Sequence, residues 1–253
     1  MALLGSASCV SSNYLSALLV GDNFWIVAAS VGGLLIAAHT TTERMPIVGV
    51  NEVMMTPDET WKMEGEGAYA YAERFAVDKL GSGSGKRKCL VIGSPIPEVR
   101  SLAANGWRVS HVDVRNPPEV QGDFIVCDAT DLLFENESFD AVSSTCVMCH
   151  AGLGRYGDPV KSNGDVLMLR EIYRVLKPNG LAVVMPGPTF GDLDRESVVY
   201  GTVHRIYRVA DLMKMAMDTG FSIESTMMVQ ADAEPMEGEI KYCYLSMLMR
   251  KTT

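Results

Sequence analysis

Basic residues are scarce in this chain, and their scarcity excludes several classes of function. The 253 residues include 22 Lys and Arg against 31 Asp and Glu, which gives a formal net charge of -9 at pH 7. Nucleic-acid binding needs clustered cations to neutralise phosphates, but the basic cluster Lys86-Arg87-Lys88 merely precedes a predicted strand. We therefore expect no nucleic-acid partner.

Cysteines are too few and too scattered for a disulfide framework. Of the six, Cys89, Cys127 and Cys243 lie within apolar runs, which is typical of buried thiols in a reducing compartment. The segment Cys146 to His150 spells C-x-x-C-H, the pattern of haem attachment, but it follows a predicted core strand. No second pair of metal ligands is present, so we expect buried thiols and no metal, with haem attachment and a redox pair as the alternatives.

The first 42 residues lack Lys and Arg altogether and contain a single acid, Asp22. An unbroken run of apolar and small residues covers 24–38, where we predict an apolar helix. The segment has neither the basic start of a secretory signal nor the arginines of a transit peptide. We interpret residues 1–45 as a membrane anchor and linker, and residues 46–253 as a separate domain.

A single N-terminal span of this kind makes the protein membrane-associated, in a membrane that the sequence does not specify. Arg44 and Lys62 follow the apolar run, which favours the domain on the cytosolic or organelle-matrix side. The alternatives are a helix docked on a partner protein of a membrane complex, and a cleaved or buried segment.

From Cys89 onward, short β-rich runs alternate with helical stretches. This alternation predicts an α/β fold, doubly wound, with a mostly parallel seven-stranded sheet and helices on both faces. We place the strands near 88–93, 108–113, 123–127, 139–144, 181–186, 222–230 and 240–250, the last two as an antiparallel C-terminal hairpin. Helices are predicted from Thr56 through Val77, from Pro97, over 165–176 and over 209–218.

A glycine-rich loop with polar side chains, residues 150–159, follows the predicted strand 139–144. Open α/β sheets bind their ligands at the carboxyl ends of strands, so this loop is the first candidate for a site. Its candidate catalytic residues are His150, Tyr156 and Asp158, and Arg155 is suited to hold a carboxylate. In the alternative interpretation, an Arg155–Asp158 ion pair only stabilises the turn.

Several motifs, in order, resemble the class I S-adenosylmethionine-dependent methyltransferases. They are a first strand with a glycine turn at Lys88–Ser94, strands ending in acids at Arg108–Asp113 and Phe124–Asp128, and a helix and turn at Glu171–Gly180. The loop Gly152-Leu153-Gly154-Arg155-Tyr156-Gly157-Asp158-Pro159 resembles the signature of an uncharacterised methyltransferase-like family of plants, algae and nematodes. His204-Arg205-Ile206-Tyr207 resembles a second signature of that family, and the resemblance covers about residues 89–251.

The resemblance implies a Rossmann-like methyltransferase fold with S-adenosylmethionine as cofactor. Its cofactor-binding residues would be Gly93 and Ser94 in the turn, Asp113 for the ribose hydroxyls, Asp128 and Ala129 for the adenine, and Ser144. His150 is the candidate base because the ordinary pKa of histidine lies near neutrality. The pair His204-Arg205 either closes the pocket or lies on the surface.

The glycine turn departs from the pattern of active enzymes. Val91 stands where those enzymes have an acid, and Pro95 and Pro97 replace later glycines and remove backbone donors. Two functions therefore remain open. One is a methyltransferase acting on a small-molecule or lipid-like acceptor, and the other is a degenerate fold that serves as an accessory subunit of a membrane protein complex.

Overall fold

A computed structural model of the chain describes residues 15–20, 23–30, 33–38, 61–62, 67–93, 96–116, 123–190, 195–230 and 242–253. In chain order the elements are β1 Leu15–Val20, β2 Asn23–Ser30, β3 Gly33–Ala38, β4 Trp61–Lys62, α1 Ala68–Leu80, β5 Lys88–Ile92, α2 Ile96–Ala104, β6 Arg108–Asp113, β7 Asp123–Val126, β8 Phe139–Thr145, α3 Gly164–Val175, β9 Leu176–Met185, β10 Pro188–Phe190, β11 Val198–Tyr200, β12 His204–Arg208, α4 Val209–Thr219, β13 Phe221–Gln230 and β14 Tyr242–Lys251.

The seven predicted strands lie in one sheet in the order β7-β6-β5-β8-β9-β14-β13, with β7 at one edge. The pairs among β5, β6, β7, β8 and β9 are parallel, and β14 runs antiparallel to both β9 and β13. The predicted doubly wound α/β fold with a C-terminal antiparallel hairpin is confirmed.

Strand β5 shows why the sheet is covered on both faces. Its residues Cys89, Leu90, Val91 and Ile92 are all buried, so both faces of the strand exclude water. Cys89 and Val91 pack in one apolar cluster with the buried faces of α1 and α2. Leu90 and Ile92 pack in the other with α3 and α4. The result is a three-layer arrangement whose strand ends remain accessible at one edge.

Beyond β14 the sheet continues through β10, β12 and β11, three short strands that the sequence analysis did not place. Strand β10 is antiparallel to β14 and parallel to β12, and β11 pairs antiparallel with β12 as the sheet edge. Runs of three to five residues are too short to show a period, so periodicity does not reveal them. This extension carries His204 and Arg205 to the edge where the glycine-rich loop lies.

The predicted helix boundaries agree closely with the structure. Helix α3 covers 164–175 against the predicted 165–176, and α4 covers 209–219 against 209–218. Helix α1 covers 68–80, whereas its predicted start at Thr56 lies outside the described residues. The chain then passes directly from α3 into β9, which includes the turn around Asn179.

The N-terminal segment corrects one prediction. The structure places β1, β2 and β3 in a separate antiparallel sheet, where we predicted an apolar helix over residues 24–38. Ser30 pairs with Gly33 across a two-residue connection, the length of a tight hairpin. Short apolar runs do not distinguish strand from helix by their period.

Within the described residues, no helix combines the length and the apolar character that crossing a bilayer requires. Membrane attachment through residues 1–45 stays a prediction.

Candidate active site

The carboxyl ends of β5, β6, β7 and β8 open into a cavity of about 460 Å³. The chain connects β5 to β6 on one side and pairs β5 with β8 on the other, so the cavity lies where the direction of winding reverses. The structure brings most of the predicted site residues to its walls. Those that line it are Gly93, Asp113, Asp128, Ala129, His150, Tyr156 and Asp158.

The turn after β5 requires glycine at its first position. Gly93 has a φ of +71°, and a Cβ there would overlap the Cγ2 atom of Val147. Its backbone N–H donates to the Val112 carbonyl at 2.7 Å, which fixes the turn against β6. Ser94, the other predicted residue of this turn, lies outside the described residues.

Asp113 ends β6 and presents one side of its carboxylate to the cavity. The backbone N–H of Arg115 donates to Oδ1 at 2.8 Å, and the Arg115 Nε donates to the same oxygen at 3.4 Å. Because both of these hydrogen bonds use Oδ1, Oδ2 is the oxygen that remains for a ligand hydroxyl.

Asp128 follows β7 and is held by hydrogen bonds on both oxygens. Oδ1 accepts from the backbone N–H and from the hydroxyl of Thr130, each at 2.8 Å. Oδ2 accepts from the Lys161 ammonium at 3.0 Å. Burial opposes ionisation of Asp128, but these bonds outweigh it and hold the pKa of the carboxyl below its ordinary value. Asp128 is therefore an ionised acceptor at this end of the cavity.

The glycine-rich loop is held by its own backbone amides and not by an Arg155–Asp158 pair. The N–H groups of Gly154 and Tyr156 donate to the two carboxylate oxygens of Asp158, each at 3.2 Å. Arg155 instead donates to the Val203 carbonyl at 2.8 Å, which ties the loop to the segment before β12. Asp158 thus faces the cavity with its orientation fixed.

His150 also contacts the Val203 carbonyl, and this contact determines which ring nitrogen carries the proton. Its Nδ1 lies 2.6 Å from the Val203 carbonyl oxygen, so Nδ1 must donate and Nε2 carries the free lone pair in the neutral form. Burial lowers the pKa of His150, the charge of Arg155 lowers it further, and the bond to Val203 opposes the shift without reversing it. His150 is therefore a neutral imidazole at pH 7, available as a base.

Tyr156 joins the two sides of the cavity mouth. The Arg115 guanidinium carbon lies 4.2 Å from the centre of its ring, and that of Arg155 lies 5.3 Å from it. The His150 ring meets it edge to face at 5.4 Å. These contacts leave the phenol ring little freedom and place it between the candidate base and the Asp113–Arg115 pair.

Arg205 is buried behind the loop, so neither alternative for the His204-Arg205 pair, closing the pocket or lying on the surface, holds for this residue. It is 4% exposed, and its Nε lies 3.4 Å from an Asp165 carboxylate oxygen. Its NH1 donates to the Ala151 carbonyl at 2.7 Å, and its backbone N–H donates to the Cys149 carbonyl at 2.8 Å. Arg205 holds the base of the glycine-rich loop from behind and does not enter the cavity.

Ser144 does not line the cavity. It is fully buried, and its hydroxyl donates to the Ile92 carbonyl at 3.4 Å. The neighbouring Thr145 lines the cavity in its place. Successive side chains of a strand point to opposite faces, so a displacement of one residue decides which of them meets a ligand.

Tyr69 and Cys146 complete the cavity wall and were not predicted as site residues. Tyr69 stands on the first turn of α1. Burial raises the pKa of Cys146 to about 12, so the group is a neutral thiol at pH 7 and not a nucleophilic thiolate. Cys149 of the same C-x-x-C pattern is buried, and its pKa is raised as well.

The sheet order is that of the class I S-adenosylmethionine-dependent methyltransferase fold. Residues 98–184 match the family described as Methyltransferase domain. A search of curated proteins gives no match.

Three solved structures illustrate the likeness. The 1,6-didemethyltoxoflavin-N1-methyltransferase of Burkholderia thailandensis, with bound 1,6-didemethyltoxoflavin and S-adenosylhomocysteine, is 19% identical over 75% of this chain and 80% of that one, with a TM-score of 0.56. The [4+2]-cyclase SpnF is 16% identical over 77% and 86%, with a TM-score of 0.58. A putative methyltransferase of Bacillus halodurans is 16% identical over 71% and 98%, with a TM-score of 0.51. At these identities the likeness concerns the fold.

Proposed function

We propose that this protein is an S-adenosylmethionine-dependent methyltransferase that acts on a small-molecule or lipid-like acceptor carrying a removable proton. The observation that carries the proposal is the convergence of Asp113, Asp128 and His150 on one cavity. These residues come from three different strand ends, and each has the chemistry that a separate part of the reaction requires.

The residues of the cavity fit the cofactor at its nucleoside end. Asp113 offers a carboxylate oxygen to the ribose hydroxyls, and Asp128 offers one to the adenine amino group. Val112 and Ala129 also line the cavity and would supply apolar contact to an adenine ring. The volume of about 460 Å³ lies within the range of roughly 300–1,000 Å³ that is typical of ligand pockets.

The fit is poorer where the methionine part would bind. Val91 is buried and uncharged, so it offers nothing to an ammonium group. The Burkholderia thailandensis enzyme of similar fold has 1,6-didemethyltoxoflavin and S-adenosylhomocysteine bound, which supports the proposal that this chain also takes a small-molecule acceptor together with the cofactor.

Bound S-adenosylmethionine would supply an electrophilic methyl group on a sulfonium centre. Methyl transfer to an acceptor then depends on orientation and, for an acceptor with an N–H or O–H, on a base. His150 would take that proton at Nε2 while the Val203 carbonyl holds Nδ1–H. Asp158, fixed by two loop amides, would orient a donor group of the acceptor.

Calorimetry on the full chain tests the proposal directly. S-Adenosylhomocysteine should bind, and Asp113→Ala should weaken it by about 10- to 100-fold, since the lost bonds are to a charged acceptor. Asp128→Ala should weaken it less, because apolar walls also hold the ring. Asp123→Ala at the opposite end of β7 is the matched control and should change nothing. A wild-type protein that binds neither S-adenosylmethionine nor its product contradicts the proposal.

A second candidate is the degenerate fold acting as an accessory subunit of a membrane protein complex. Val91 in place of an acid favours it, as do the two prolines that follow the glycine turn. In that case His150→Gln would change the melting temperature alone, because the protein would have no turnover to lose.

Membrane attachment through residues 1–45 is a separate part of the proposal, supported by the absence of Lys and Arg from the first 42 residues. The full chain should sediment with membranes and resist carbonate extraction, whereas a chain starting at Glu43 should not. Full-length protein that stays in the supernatant without detergent contradicts it.

A further inference from the structure

Lys161 lies two residues after the glycine-rich loop of residues 150–159. Its side chain reaches the part of the cavity assigned to the nucleoside. Its ammonium lies 3.0 Å from Asp128 Oδ2 and also donates to the Thr130 hydroxyl. Asp128 is 33 residues earlier in the chain and belongs to the turn after β7. The loop that carries His150 is therefore linked directly to the carboxylate assigned to the nucleobase.

The backbone of Lys161 is fixed to the base of that loop. Its N–H donates to the Gly152 carbonyl at 2.8 Å, and its own carbonyl accepts from the Gly164 N–H at 3.0 Å. A Cβ on Gly152 would overlap the Lys161 carbonyl oxygen, so the two segments are in close contact. A shift of the loop base consequently moves Lys161, and a fixed Lys161 restrains the loop.

The hydrogen bonds of Asp128 leave a defined acceptor position. Oδ1 accepts two bonds from Thr130, which is the ordinary capacity of a carboxylate oxygen. Oδ2 accepts one bond, from Lys161, and so retains one further position. Since Asp128 lines the cavity, that position suits an exocyclic amino group of a nucleobase.

Other charged groups surround this contact. Asp131 and Glu171 lie close enough to disfavour a negative charge at the neighbouring Cys127 thiol. Glu171 is paired with Arg174 at 2.7 Å, while Lys161 is the cation that pairs with Asp128. Removal of Lys161 would take away a hydrogen bond and a positive charge that lower the pKa of Asp128, which would then ionise at a higher pH.

We propose that Lys161 is a positioning residue for nucleobase recognition. It holds Asp128 ionised and oriented, with one acceptor position free, and so couples occupancy of the nucleobase end to the order of the loop carrying His150. This inference rests on the proposed function, and it adds a residue that motif reasoning did not assign.

The test is the binding of S-adenosylhomocysteine to the full chain, measured by calorimetry between pH 4.5 and 8. Lys161→Met should weaken binding about tenfold at pH 7. As the pH is lowered, Lys161→Met should lose binding at a higher pH than the wild type, because Asp128 becomes protonated at a higher pH. Lys161→Arg should restore most of the affinity, since a guanidinium also pairs with a carboxylate. Lys214→Met, at an exposed ion pair on α4, is the control.

Hydrogen exchange supplies a readout that simple loss of stability would not give. S-Adenosylhomocysteine should protect the amides of residues 150–160 in the wild type, and this ligand-dependent protection should be lost in Lys161→Met. If Lys161→Met does not fold, Lys161→Gln serves the same purpose with a polar side chain. Wild-type binding together with an unchanged affinity and pH profile in the Lys161 variant overturns this inference alone, whereas no binding by the wild type overturns the proposed function as well.

Discussion

The Nδ1 atom of His150 and the carbonyl oxygen of Val203 lie 2.6 Å apart and join two segments separated by 53 residues. The carbonyl only accepts hydrogen bonds, so it selects the tautomer with the proton on Nδ1. The second ring nitrogen is then the basic one. A backbone group before β12 thereby determines how a loop residue after β8 can take part in chemistry.

His150→Gln should reduce methyl transfer by about 10²–10³-fold, because removal of a general base typically has an effect of about 10²–10⁴. The wild-type rate should rise with pH through a histidine pKa below 6.5 and then level off, since burial lowers the pKa of His150. The variant should lose that rise. Transfer of labelled methyl groups from S-adenosylmethionine to small-molecule and lipid acceptors measures both effects. A folded variant with undiminished transfer would remove His150 from the base role.

His111 should make the folded protein sensitive to acid. It is 1% exposed, neither ring nitrogen makes a hydrogen bond, and its ring meets Phe124 edge to face. Burial lowers its pKa, while the neighbouring Gly93 backbone and the charge of Asp113 oppose the shift without reversing it. The unfolded chain therefore binds the proton more readily, and stability is lost as the pH falls below about 6.5.

His111→Phe should flatten this dependence. Urea unfolding at pH 8 and pH 5 should show a smaller loss of stability at pH 5 for the variant than for the wild type. A residual slope should remain, because the pKa values of His150 and His204 are lowered as well. The comparison variant is His150→Gln, which retains His111 and should lose only the part of the slope that His150 contributes. Equal slopes for His111→Phe and the wild type would show that His111 does not titrate as described.

The features that the sequence predicted share a physical cause. Strand β5 carries a continuous apolar run, Cys89–Ile92, because both of its faces are buried, and that signal is strong in sequence. Asp113 and Asp128 were predicted because Arg108–Asp113 and Phe124–Asp128 resemble the second and third strands of class I methyltransferases, each with its terminal acid. The carboxyl ends of parallel strands meet at one edge, so the prediction placed both residues in the same cavity.

The features that the sequence did not predict depend on contacts between distant parts of the chain, or on which face of a strand one side chain occupies. Arg205 looks like a surface residue until Asp165 and the Ala151 carbonyl are placed around it. Lys161 and Asp128 are brought together by the path of a loop, and the sequence does not predict that path. Ser144 and Thr145 occupy opposite faces of β8, and only Thr145 lines the cavity.

Gly93→Ala should destabilise the fold by about 2–3 kcal/mol, from a strained positive φ and from overlap with Val147. The matched control is Gly85→Ala, whose φ of +70° is similar but whose Cβ would meet no atom within 4 Å. That variant should lose only about 1 kcal/mol. Combining Gly93→Ala with Val147→Ala should restore the unfolding free energy lost through the overlap, but not the part lost through the strained φ. Urea unfolding of the four proteins separates the two effects, and equal losses in both glycine variants would show that Val147 does not restrict the turn.

Arg205→Met should be among the most damaging single changes outside the cavity. Asp165 is buried beside Arg205, and the Tyr207 hydroxyl contacts the same carboxylate at 3.3 Å. Breaking a buried pair leaves an uncompensated charge and typically costs about 3–5 kcal/mol. Arg208→Met removes a partly exposed pair at the end of the same strand and should cost at most about 1 kcal/mol.

Replacing Asp165 by Leu together with Arg205→Met should recover much of the stability, since the unpaired charge is gone. The double variant should still expose the loop of residues 150–160 to faster hydrogen exchange, because the Ala151 carbonyl has lost its donor. Were Arg205→Met no more harmful than Arg208→Met, the Arg205–Asp165 pair would not be needed to hold the base of the loop.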